Sequence, residues 1–234
     1  MPMKSKRIQI TCDFWAGLAW SGFVLAVLWS QGEVVPAEEA RDWEAARRKD
    51  RMIGVEYVAL LRGINVGGTN KVVMSELREQ VAGVGYTNVR TYINSGNLLF
   101  EAEASREDVA QRVEDLLARR YDFPIRVALL TAQDYLEELH NLPDWWHGEV
   151  ARRDALFFTR GLDRAHVRER IEAMDLGDEA VYFGEHAVFW GKFHEKEFLR
   201  TAYHKRLLRE DFYRQVTIRS GSTVEKIASM LARE

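Results

Sequence analysis

Between Tyr57 and Leu231 the hydrophobic pattern twice runs strand, helix, strand, strand, helix, strand, and that order is the strongest constraint the sequence places on its fold. In the first pass, Tyr57 to Leu61 is a short apolar run of the kind a buried strand requires. Ser75 is expected to cap a helix to about Ala82, with Leu77 and Val81 on one face and Gly83 and Gly85 ending it. Asn88 to Ile93 and Leu98 to Glu101 read as strands around a turn at Asn94 to Asn97. Ser105 with Asp108 has the pattern of a capping box, opening a helix with Val109, Val113, Leu116 and Leu117 at helical spacing. Phe123-Pro124 stops that helix, and Ile125 to Leu130 is a fourth strand. This order is the split βαβ of ferredoxin-like folds, with antiparallel sheets.

A linking helix, Thr131 to Asn141, and a loop, Leu142 to Gly148, precede the second pass. Strands follow at Ala155–Thr159, Ala180–Phe183, Ala187–Trp190 and Gln215–Ile218. Asp163 is expected to cap a helix carrying Val167, Ile171 and Met174. Lys196 to Arg209 reads as a charged helical segment, and Ser222 with Glu225 as a second capping box, for a last helix carrying Val224, Ile227, Ala228 and Leu231. The fold class expected is α+β, a tandem duplication of ferredoxin-like (βαββαβ) units at 52–131 and 149–234 joined through 132–148. The repeat is one of pattern; matching residues are not seen between the halves.

The first 51 residues are of another kind. Lys4, Lys6 and Arg7 precede an apolar stretch, Phe14 to Trp29, that is short for a membrane-spanning helix of about 20 apolar residues. Three readings stand: a misplaced start codon with Met52 as the true start, a membrane anchor, or a cleaved signal. The first predicts a soluble cytoplasmic protein and the second a membrane-anchored one. The net charge of −3 gives no global pull toward nucleic acid or acidic lipid. A single cysteine, Cys12, excludes an internal disulfide and a cysteine zinc cluster, and the six histidines show no metal-ligand spacing. No metal or cofactor is expected.

Three stretches carry a resemblance. ALLRGINVGG, NVRTYINSGNLLF and the late VTIR…TVEKI are similar to the domain of unknown function (DUF) 1697 family of bacterial proteins, over about Tyr57 to Leu231. The resemblance implies a pair of ferredoxin-like units, in agreement with the pattern, and lends no catalytic residue. A common family form places Asn-Trp-Asn after the late arginine; here Arg219 is followed by Ser220-Gly221-Ser222.

Two polar loops are the candidate site. Arg62 to Lys71 brings Arg62, Asn65, Gly67, Gly68, Asn70 and Lys71 directly after the first strand. Its glycines allow close approach to the backbone, and its two cations suit a phosphate or carboxylate. The spacing matches no named phosphate loop. Asn94, Ser95, Gly96 and Asn97 form the second loop, expected to meet the first because strands one and two can be neighbours in this topology. Arg219 and Ser220 stand between a strand and a helix, where anions are favoured. The competing reading is structural: wide turns whose Asn side chains satisfy local backbone. No His, Asp or Glu lies in either loop, so a small anionic or polar ligand is expected and no reaction is assignable. The basic run from Tyr203 to Arg214 reads as a solvated face, and Trp145-Trp146 as a plug over the junction of the halves. Alternatives are a nucleic-acid binder, opposed by the charge balance and the missing RNP-type motif, and an interaction module such as a homodimer. A membrane partner enters only if Phe14–Trp29 is an anchor.

Overall fold

Strand β1 (Val55–Arg62) has both of its alternating residue sets buried, which is why its sequence is an unbroken apolar run and not an alternation. The computed structural model describes residues 54–194 and 201–232; the leader, with Phe14 to Trp29, lies outside them. Helix α1 (Met74–Gly83), strands β2 (Thr87–Tyr92) and β3 (Asn97–Ala102), helix α2 (Arg106–Arg120) and β4 (Arg126–Thr131) complete the first unit. Its sheet is antiparallel in the order β2-β3-β1-β4. Helices α3 (Ala132–His140) and α4 (Asp144–His147) lead to β5 (Arg152–Phe158), α5 (Arg164–Glu172), β6 (Glu179–Phe183) and β7 (Ala187–Lys192). After a short α6 (Ala202–Lys205) and two 3-10 turns come β8 (Val216–Ser220) and α7 (Gly221–Leu231), giving a second antiparallel sheet, β6-β7-β5-β8. Two ferredoxin-like units in tandem are therefore present.

Three apolar clusters follow from the two faces of each sheet. Tyr57, Ala59 and Leu61 pack on Leu77 and Val81 of α1 and on Val109, Val113 and Leu117 of α2. Val58 and Leu60 point the other way, toward Ala155 and Phe157 of β5, with Tyr135 of α3, Trp146 of α4 and Val224 and Ile227 of α7 between the sheets. Leu156, Val188 and Trp190 form the third cluster with Val167 and Ile171 of α5 and with Phe212. Each fully buried side chain of this size contributes roughly 1.5–3 kcal/mol. Trp146 is the plug between the halves, its ring edge-on to Phe189 at 5.0 Å.

Among the described residues a side chain caps four helices, Thr201 capping α6 through the His204 amide at 3.2 Å, and the caps expected for α1 and α7 fail. Ser105, Thr131 and Asp163 accept first-turn amides, and Thr131 with Asp134 forms a full capping box. Ser75 does not cap α1: Val73 is the N-cap, its carbonyl takes the Leu77 amide at 3.0 Å, and Met74 must already turn inward to reach the core. Nor do Ser222 and Glu225 make a box, because β8 runs straight into α7 at Gly221 and Glu225 pairs instead with Arg153 at 3.0 Å. The charged helical segment expected at Lys196 to Arg209 is described only in part. Residues 195–200 lie outside the description, and α6 and the 3-10 turn Leu207–Arg209 occupy the rest. Among the described residues no helix is long and apolar enough to cross a membrane.

Candidate functional site

Strands β1 and β2 are not neighbours, since β3 lies between them. The two polar loops meet all the same. β3 runs antiparallel to β1, so its first residue, Asn97, stands opposite Leu60, and the turn before it sits at the end of β1. The Leu61 amide donates to the Gly96 carbonyl at 2.8 Å. Gly96 has φ +81°, and a Cβ there would lie 2.7 Å from Ile64 Cδ1 and 2.8 Å from Leu61 Cβ, so the approach requires glycine.

The asparagines hold this junction together. Asn65, at φ 52°, donates through Nδ2 to the carbonyls of Val72 (3.0 Å) and Asn94 (2.8 Å), and its Oδ1 accepts the Val72 amide at 2.8 Å. Asn70, also at φ 52°, donates to the Gly63 carbonyl at 2.7 Å. Asn97 is fully buried and donates to the Tyr92 carbonyl (2.9 Å) and to Ser95 Oγ (3.1 Å). Its Oδ1 accepts from Arg219 Nε.

Arg219 is 5% exposed and among the described residues has only neutral acceptors: Asn97, Thr217 Oγ1 at 2.8 Å, and the carbonyls of Ile218 and Leu61 at 2.9 Å, Ser95 at 2.9 Å and Gly96 at 3.2 Å. Burial pulls its guanidinium down to about 10, still charged at neutral pH. Ser220 is the exposed N-cap of α7, with its Oγ 3.1 Å from Ser222 Oγ and 3.0 Å from Thr223 Oγ1. Arg62 donates to the Val216 carbonyl, and its guanidinium lies 4.8 Å from the centroid of the Tyr213 ring. Both arginines thus tie the first unit to the region of β8.

The family described as "Protein of unknown function (DUF1697)" matches residues 55–189, more than half of the chain. The chain belongs to the DUF1697 family. A solved structure described as a conserved bacterial protein, SP0830 from Streptococcus pneumoniae, is 46% identical, with a TM-score of 0.73, over 76% of this chain and 99% of that one. No curated protein matches.

What the DUF1697 chain leaves open at this end of β1 is basic. Lys71 and the tip glycines Gly67 and Gly68 are exposed, the glycines with open space around them. Arg126 stands directly across from Arg62 in the β1–β4 pairing. Residues so paired bring their Cβ atoms to about 5 Å on one face of the sheet. Arg214 approaches from the 3-10 turn ahead of β8. Burial holds Arg62 below the usual guanidinium range, the charges of Arg126 and Arg214 add to this, and Tyr213 opposes it. Among the described residues neither Arg126 nor Arg214 enters an ion pair.

Arg126 was not singled out in the sequence. Its only signal is a cation at the mouth of an apolar strand, which becomes informative once the register is known. A second missed group is a buried ion pair, Asp154 (1% exposed) with Lys192 (2%), Oδ2 to Nζ 2.7 Å. Lys192 also lies 3.2 Å from the centroid of the Tyr203 ring, and Arg152 Nε reaches Asp154 at 3.0 Å. Burial lowers Lys192, and the Asp154 hydrogen bond opposes that shift. Tyr203 is therefore core, not part of a solvated face.

Proposed function

We propose that this DUF1697 chain binds a small anionic ligand at the seam of its two units, between the guanidinium groups of Arg62, Arg126 and Arg214 and beside Tyr213. One observation carries the reading. Three cations from three separate elements are brought together, and among the described residues no carboxylate pairs with any of them. Like charges directly across a strand pair destabilise the sheet, so their convergence calls for an anion. Guanidinium forks match carboxylate and phosphate oxygens in pairs. Lys71 adds a further cation from the same loop, whose tip glycines Gly67 and Gly68 leave open space around the backbone. Asn65, Asn70 and Asn94 to Asn97 serve as its rigid support, and Arg219 with Ser220 as its anchor to the second unit. The cluster holds no nucleophile or general base, so the proposal is binding and not a reaction. Both faces of the central strands are covered, which disfavours stacking of bases on either sheet.

The test is calorimetric titration of the full chain with inorganic pyrophosphate at two salt concentrations. Arg126→Ala and Arg214→Ala remove exposed side chains and are expected to fold normally. Each should weaken binding by about tenfold or more, in line with the loss of a charge-assisted contact. Affinity should also fall with added salt. Unchanged affinity in both variants refutes the site.

A further inference from the structure

At the edge of the second sheet away from β8, the β6–β7 hairpin faces α3 across a cleft of about 220 Å3. Its floor is a carboxylate. Glu138 of α3, 7% exposed, takes the amides of His186 (3.0 Å) and Ala187 (3.1 Å) on Oε1 and of Glu185 (3.2 Å) on Oε2. Gly184 makes room for it: a Cβ there would stand 1.9 Å from Glu138 Oε1. A carboxylate offers about four acceptor sites, so three amides leave one free, on Oε2. His186, 8% exposed, lines the same cleft, and among the described residues no hydrogen bond to its ring is found. Glu137 and Glu185 stand exposed at the rim, and the Tyr182 ring forms a wall. Among the described residues none of Glu137, Glu138 and Glu185 is in an ion pair.

We infer that this cleft is a binding site for a small primary ammonium ligand, which donates to Glu138 Oε2 and to a ring nitrogen of His186, under the carboxylates of Glu137 and Glu185. A neutral imidazole is the acceptor this needs. Burial first, and then the charge of Arg106, holds His186 below its usual range, with Asp134 and Glu185 opposing and Arg164 assisting. Burial likewise raises Glu138 against the pull of its three amides, so a bound cation would relieve an incompletely compensated charge. The aromatic wall favours an organic cation, since a ring face attracts an ammonium within about 6 Å. A metal ion fits less well. Among the described residues no three His, Cys, Asp or Glu side chains converge to hold one, and Asp134 is engaged by Arg106 at 3.2 Å.

The experiment is an NMR titration of the full chain, with histidine ring nitrogens labelled, using putrescine, its neutral counterpart butane-1,4-diol, and zinc. His186 is assigned through His186→Gln. Putrescine should shift the His186 ring at millimolar concentration, butane-1,4-diol should not, and Glu137→Gln with Glu185→Gln should weaken the response about tenfold. Both rim variants change exposed side chains, and retention of the amide spectrum verifies their fold. No shift with putrescine, an equal shift with the diol, or a shift with zinc alone overturns the inference.

Discussion

Replacing Arg219 by Met removes the guanidinium that joins the two units while keeping an unbranched side chain in its place. The acceptors it leaves can be counted. Leu61 O still accepts from Thr217 Oγ1 at 3.0 Å, and Gly96 O still accepts the Leu61 amide at 2.8 Å. Thr217 Oγ1 keeps Leu61 O as a partner, while Asn97 Oδ1, Ser95 O and Ile218 O lose the donor they have in Arg219, the first fully buried and the other two partly exposed. A buried polar group left unsatisfied costs roughly 1–3 kcal/mol, and a partly exposed carbonyl costs less because water reaches it, so the three together cost about 2–6 kcal/mol. Removing a buried charge that has no carboxylate beside it offsets part of this. We expect a net loss of about 3 kcal/mol, a large share of the roughly 5–15 kcal/mol that holds a typical protein folded. Arg219→Lys should recover only part, because three donors on a point charge cannot reach all the acceptors of a planar fork. Urea unfolding of the full chain, followed by tryptophan fluorescence and by circular dichroism, measures both. A loss under about 1 kcal/mol for the Met variant would show that water or loop rearrangement replaces the fork, and the junction argument would be wrong.

Gly96→Ala combines a left-handed φ of +81° with a Cβ only 2.7 Å from Ile64, and should cost at least about 2 kcal/mol in the same assay. Gly67→Ala, at φ +59° in open space, should cost about 1 kcal/mol. Lys192→Met leaves the buried Asp154 carboxylate to the half-exposed Arg152 and should destabilise by up to about 3–5 kcal/mol, whereas the double change with Asp154→Leu should recover most of that in a thermodynamic cycle. The His186 ring, held below its usual range by burial, gives a signed pH effect. As pH falls the unfolded chain takes up its proton first, near the ordinary value of about 6.5. The stability that the neutral ring contributes is thus present above that value and lost below it, toward the lower folded value. The fall in melting temperature between about pH 7 and pH 5 should be smaller in His186→Gln.

The order of elements was legible because strands and helices leave their periods in the sequence. Tyr57 to Leu61, the spacing of Val109, Val113 and Leu117, and the caps at Ser105 and Asp163 all depend on neighbours close along the chain. The two caps that failed, at Ser75 and Ser222, are places where packing and an ion pair with Arg153 outweigh a local preference worth about 1 kcal/mol.

By itself, then, the sequence determined the family, the two ferredoxin-like units and the pairing of two polar loops as the place to look. Only the tertiary structure decided what those loops do. Asn65, Asn97 and Arg219 have the chemistry of ligand contacts, and 122 residues separate Arg219 from the Asn97 oxygen it donates to. Arg126 gains its meaning from the register that sets it across from Arg62, and Glu138 from the hairpin amides that close around it. A side chain's hydrogen-bonding capacity is a property of the residue. Whether that capacity is spent inside the fold or offered to a ligand depends on which distant backbone comes within about 3 Å of it, and no local pattern in the chain encodes that.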